Sequence, residues 1–237
     1  MSVFVAEELS EVLNTKVVIG RINMGLLNRI IIDDVLLDDQ SGQEMLKVTR
    51  LSAKFDIMPF FKGKISISSV QLFGFNINLR KETPDSPPNF KFVLDAFASK
   101  DTVKKENSLD LRINSILIRR GRMSYHVLSE EETPGKFNAK HIQLQNIIAN
   151  ISLKALSKDS LNLGIKRLSL DEKASGFSLK KMSLKLVANN KQTNIDNFTI
   201  ELPETSLKLD TIHLEYDSLK AFDRFTEQVH FSFRTLP

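Results

Sequence analysis

Leu111-Arg112-Ile113-Asn114-Ser115-Ile116-Leu117-Ile118 sets two apolar residues in alternation (Leu111, Ile113), a polar pair (Asn114, Ser115), then two more in alternation (Ile116, Ile118). The same spacing returns at Leu46/Val48/Leu51/Ala53, Ile65/Ile67/Val70/Leu72, Ile142/Leu144/Ile147/Ala149, Leu163/Ile165/Leu168/Leu170 and Leu207/Leu209/Ile212/Leu214. Alternation with period two marks a strand with one apolar face, and a slip of one residue sends the second half to the other face. One extra mid-strand residue, a β-bulge, restores the phase while bending and twisting the strand. Repeated in strand after strand, this predicts a sheet that is itself bent, with its apolar residues on a concave face.

Outward from that pattern, the 237 residues are 41% hydrophobic and 26% charged, the composition of an ordinary folded chain with material for a core. The even spread of the strand signature favours one continuous β unit over separate domains. With no cysteine, a disulfide framework, a thiol nucleophile and a Cys-based metal or redox site are all excluded. The net charge of +4 comes from interspersed Lys and Asp/Glu with short clusters such as Lys104-Lys105 and Arg119-Arg120, which reads as a solvated surface rather than a nucleic-acid patch. No run approaches the eighteen or so apolar residues of a spanning helix.

Along the chain, residues 1–14 read as an amphipathic helix, with Val5, Leu9, Val12 and Leu13 on one face. Residues 15–80 form a first sheet section of four strands, punctuated between the third and fourth by Pro59 and Gly63. Residues 81–108 are a loop and helix. The segment Lys81–Asn89 carries three prolines and cannot sit inside a sheet, and Phe90, Val93, Leu94 and Phe97 then follow helical spacing behind Asn89 as N-cap, giving a lid over 90–99. Residues 109–237 form a second sheet section, with a short helix expected over 218–227.

Groups that chemistry would need do not assemble in the sequence. His126, His141, His213 and His230 each sit in a strand pattern without metal-ligand spacing; His213 and Glu215 share a strand face but supply only two ligands. Asp33-Asp34 and Asp38-Asp39 lack the register of a calcium loop, and Gly63-Lys64 lacks the first glycine and the Ser/Thr of a phosphate loop. Neither a GxSxG elbow nor any other catalytic motif is present, so the expectation is a protein that is not an enzyme, with no metal and no cofactor. Sixteen phenylalanines against two tyrosines and no tryptophan point to a dry core or an apolar ligand surface.

The segment Thr15–Asp101 resembles the AsmA-like proteins, and among them the translocation and assembly module (TamB) family. The resemblance rests on Leu13-Asn14-Thr15-Lys16-Val17-Val18-Ile19-Gly20, on Ile31-Ile32-Asp33-Asp34-Val35-Leu36-Leu37 with its Asp-Gln-Ser-Gly turn, and on Val48-Thr49-Arg50-Leu51-Ser52-Ala53-Lys54-Phe55. It continues through Pro59-Phe60-Phe61-Lys62-Gly63-Lys64-Ile65 and Val70-Gln71-Leu72-Phe73-Gly74-Phe75, with Ile116-Leu117-Ile118-Arg119-Arg120-Gly121 similar to a recurring family strand. What it implies is a periplasmic fragment of a longer protein, held in the inner membrane by an anchor preceding this sequence. Its sheet would curl into an apolar gutter- or taco-like groove that carries phospholipid acyl chains between inner and outer membranes, with outer-membrane assembly proteins as further partners.

Sequence and resemblance together set the expectation of a mainly β fold, an elongated, strongly curved antiparallel sheet with an N-terminal helix and one or two short covering helices. The groove is expected along Ile65, Ile67, Val70, Leu72, Phe75, Ile77, Leu79, Leu111, Ile113, Ile116, Ile118, Ile142, Leu144 and Ile147. The alternative is a β scaffold or protein-interaction module whose apolar face is filled by its own side chains.

Overall fold

In the computed structural model the residues described are 2–26, 28–55, 67–98, 114–157, 160–217 and 229–235. Helix α1 (Ser2–Leu13) leads into β1 (Val17–Gly25), β2 (Arg29–Asp38), β3 (Glu44–Phe55) and β4 (Ile67–Lys81), followed by helix α2 (Lys91–Ala98). Seven further strands are β5 (Ser115–Val127), β6 (His141–Ser157), β7 (Ser160–Glu172), β8 (Ser178–Asn189), β9 (Gln192–Glu201), β10 (Ser206–Tyr216) and β11 (Val229–Thr235). All eleven form one sheet in which spatial order equals chain order, and it is open: among the described residues β1 pairs only with β2 and β11 only with β10.

The sheet is mixed rather than antiparallel. β4 and β5 run parallel, with Ser69 beside Ser115 and Lys81 beside Val127. A parallel neighbour requires a crossover of a dozen or more residues, and the chain between Lys81 and Ser115, with its proline-rich stretch and α2, is that crossover. Every other neighbouring pair is antiparallel.

The expected polar pairs of β6, β7 and β10 lie where the backbone departs from a regular strand, whereas Asn114-Ser115 falls at the start of β5, whose interruption is at Arg120 instead. Asp34, Arg120, Asn146 and Asn197 have φ between 53° and 57° and Gly74 has φ 64°, the left-handed region that Gly, Asn and Asp reach most easily. Register shifts fall at the polar pairs of β7, between Ile165 and Leu168, and of β10, between Leu209 and Thr211. Another separates Lys54 from Phe55 opposite Ser68 and Ser69 of β4.

Between β2, β3 and β4 the expected two-against-one bulge is absent around the interruption. Asp33 faces Arg50 and Val35 faces Val48; Arg50 faces Phe73 and Val48 faces Phe75, with no shift. Asp34, Thr49 and Gly74 stand at one level, so each strand breaks phase opposite a neighbour that breaks it too, and register passes through unchanged. Gly74 is required twice over: its φ is positive, and a Cβ there would lie 2.7 Å from the Thr49 hydroxyl.

One buried cluster lies at a corner of the sheet, beneath the helices. Ala6 of α1, Val17 and Ile19 of β1, Leu37 of β2 and Met45 of β3 are buried together, with Phe92 and Val93 of α2 packed against them. Ser10 ties α1 to the edge strand, its Oγ accepting from the Val17 amide at 3.0 Å and donating to the Ala6 carbonyl at 2.7 Å. Below the same corner, buried Asp39 accepts from the Ser41 and Gln43 amides and the Asn89 side chain, and pairs with Arg80 at 2.7 Å.

Candidate functional site

Registers turn the strand pattern into rows that cross the sheet. Ile22, Ile32, Leu51, Leu72, Ile118, Ala149, Leu168, Met182, Ile200 and Leu207 are successive cross-strand partners from β1 to β10, an apolar row without a polar member. At about 4.8 Å per strand it is roughly 43 Å long. A second row runs Met24, Ile30, Ala53, Val70, Ile116, Ile151, Ile165, Leu184. Cross-strand partners share a face, so both rows are continuous apolar stripes.

The phase reset puts a third row on the same side. Val48, Phe75 and Ile147 are buried together, and Leu51, Leu72 and Ile118 on one side of the interruption and Leu46, Ile77, Met123 and Leu144 on the other all pack against them. Gly121 belongs to this row by register with Ile147, and a Cβ on it would run into the Phe75 ring and come within 3.0 Å of the Ile147 Cβ. The missing side chain is the seat of the phenyl ring.

Of the expected groove residues, Phe75 and Ile147 are buried and Val70, Leu72, Ile77, Leu79, Ile116, Ile118, Ile142 and Leu144 are half-buried. Alternation and register assign all ten to one face, with Leu79 and Ile142 joined through Tyr125. Ile67 belongs to β4 by backbone position alone, and Ile65, Leu111, Ile113 and the helix expected over 218–227 lie outside the described residues. Val35, Val48, Leu51, Met123 and Leu170 join the same cluster although they were not among the expected groove residues; Val48, Leu51 and Leu170 belong to the repeated spacing itself. Their signal was present, since each alternates with a named neighbour, but the partner strand had to be known before it could be used.

The opposite face is polar. Arg21, Asp33, Arg50, Phe73 and Arg119 are cross-strand partners in that order. Arg50 Nε donates to Asp33 Oδ1 at 2.6 Å, and that hydrogen bond, with the guanidinium charge, holds the Asp33 carboxyl below its usual range against the opposing effect of burial. Arg120 lies over the Phe73 ring, 5.3 Å from its centroid. Clefts of about 690 and 460 Å³ open along this line, the first among Arg21, Asp33, Arg50, Phe73 and Arg119, the second among Lys47, Asn76, Arg120, Arg122 and Asn146.

His213 is held by neighbours on its own sheet face, Nδ1 2.6 Å from Asn194 Oδ1 and Nε2 3.0 Å from Glu215 Oε1. Both ring nitrogens are thereby occupied. Among the described residues no helix is long and apolar enough to cross a membrane. Known family models and curated proteins return no match to this chain.

Proposed function

We propose that this chain is a non-enzymatic segment of a bridge-like, AsmA-like lipid-transfer protein of the cell envelope, whose apolar sheet face curls into a gutter for phospholipid acyl chains. The observation that carries the reading is the apolar row from Ile22 to Leu207, half-buried over most of its length and, among the described residues, met by packed helices only at the β1–β3 corner. An acyl chain needs a continuous apolar path, and each methylene taken from water contributes roughly 0.8 kcal/mol. Many equivalent Leu, Ile and Val contacts let a chain slide without a deep trap, so no convergent polar site is required. On this reading the protein works in the periplasm, anchored in the inner membrane by a segment outside this sequence, and engages outer-membrane assembly proteins rather than nucleic acid.

The competing reading is a β scaffold or protein-interaction module. It draws support from the corner, where α1 and α2 already occupy the same apolar face. Extraction of the purified chain followed by mass spectrometry separates the two. Bound phospholipid is expected in the native chain and is expected to be lost in Ile118→Arg, which sets a charge in the middle of the row while circular dichroism stays unchanged. A native chain that folds but carries no phospholipid, and takes none up from vesicles, overturns the conduit.

A further inference from the structure

The β5–β6 hairpin brings together three groups fifteen residues or fewer apart that no spacing rule connects. His126 and His141 are direct cross-strand partners. Their Nδ1 atoms are 3.0 Å apart, with ring centroids at 5.3 Å and planes inclined by 53°. Glu132, from the connecting turn, brings Oε1 to 3.8 Å from His126 Nδ1, and the three ligand atoms all lie within 4.8 Å of one another.

The orientation of His141 is fixed from behind. Its Nε2 is 2.9 Å from the Glu130 carbonyl oxygen, which can only accept, so Nε2 carries the proton and the neutral ring presents the Nδ1 lone pair to His126. A ring N–H directed at a backbone carbonyl is the outer hydrogen bond that orients metal-bound histidines. His141 is only 7% exposed, whereas the Glu132 side chain, on the turn, is 63% exposed. The turn is braced by Asn138, which donates to the Glu131 carbonyl and accepts from the Lys140 amide. Lys140 pairs with Glu130 at 2.5 Å, so its ammonium is directed to a carboxylate outside the triad.

A tetrahedral ion with bonds of about 2.0–2.1 Å needs ligand atoms roughly 3.3 Å apart, between the two separations observed. We propose that His126 Nδ1, His141 Nδ1 and Glu132 Oε1 bind one Zn²⁺ ion, with a fourth position open to water, clipping the turn to the end of the sheet. Two imidazoles and one carboxylate suit zinc better than calcium or magnesium, which prefer oxygen ligands throughout.

Calorimetric titration of the whole chain with Zn²⁺ tests this. One site per chain is expected, weakened at least a hundredfold in His126→Gln and about tenfold in Glu132→Gln, and unchanged in His213→Gln. Co²⁺ in place of Zn²⁺ is expected to give the visible band of a tetrahedral site, absent in His126→Gln. Failure of the folded native chain to bind Zn²⁺, equal affinity in His126→Gln, or an unaffected Glu132→Gln overturns the assignment.

Discussion

The β1–β3 corner and the expanse from β4 to β10 are built from the same alternating pattern yet end differently. In the corner, Met45 falls to 4% exposed because α1 and α2 lie across its face. In the expanse, Leu72 and Ile118 pack against Val48, Phe75 and Ile147 within the sheet and remain half-buried. Strand pairing and register fix which residues share a face, and a second layer then takes that face out of water. Phe75, Ile147 and Ala149 qualify this: they are buried within the β4–β6 part of the sheet, Phe75 and Ile147 at the gap left by Gly121.

If covering layers make the difference, equal truncations must have unequal effects. Met45→Ala is expected to lose about 3 kcal/mol and Leu72→Ala about 1 kcal/mol in urea unfolding, the second shrinking further if the face is wet. Equal losses at the two sites would mean that the expanse is as well covered as the corner. Gly121→Val, which fills the seat of the Phe75 ring, is expected to cost about 2 kcal/mol by overpacking. If pairing it with Phe75→Ala does not relieve that cost, the ring is not what the glycine accommodates.

A pH-dependent contrast concerns the buried carboxylates that close strand ends in the two regions. Burial works against ionisation of Glu172, but the Ser175 hydroxyl and the Ser175, Ala174 and Gln143 amides outweigh it and hold the carboxyl at about 2, below the ordinary 4.5. Asp39 at the corner is lowered too, by Ser41, Asn89 and Gln43 against the same burial. A carboxyl depressed on folding lends stability that is complete above its unfolded value and is lost as pH falls toward the folded one. Stability is therefore expected to decline from about pH 4.5 toward pH 2, and Glu172→Gln to cost about 1.5 kcal/mol at neutral pH with a weaker acid dependence. An acid limb identical in native and Glu172→Gln chains would remove Glu172 as a contributor.

Much of this architecture was legible in the residues. Strand positions followed from alternation, α1 and α2 from helical spacing, and the breaks in β3 and β7 from the polar pairs Thr49-Arg50 and Lys166-Arg167, whereas those at Gly74 and Arg120 were not marked by such a pair. The parallel β4–β5 pair was not legible, because strand patterns do not encode direction and the crossover read only as a loop and a lid. Nor was the unshifted register across Asp34, Thr49 and Gly74, since it depends on neighbouring strands breaking phase at the same level. The His126–His141 contact was hidden for a related reason: their separation of fifteen residues becomes a cross-strand pair only once the hairpin closes.

The sequence by itself determined which side of each strand is apolar and where that side is interrupted, because side-chain direction alternates along any strand. Only the tertiary structure decided that ten such strands align their apolar residues into one unbroken row, since register is a relation between strands. It also decided that α1 and α2 cover the β1–β3 corner, because the path of a crossover and the docking of a helix depend on what each can bury.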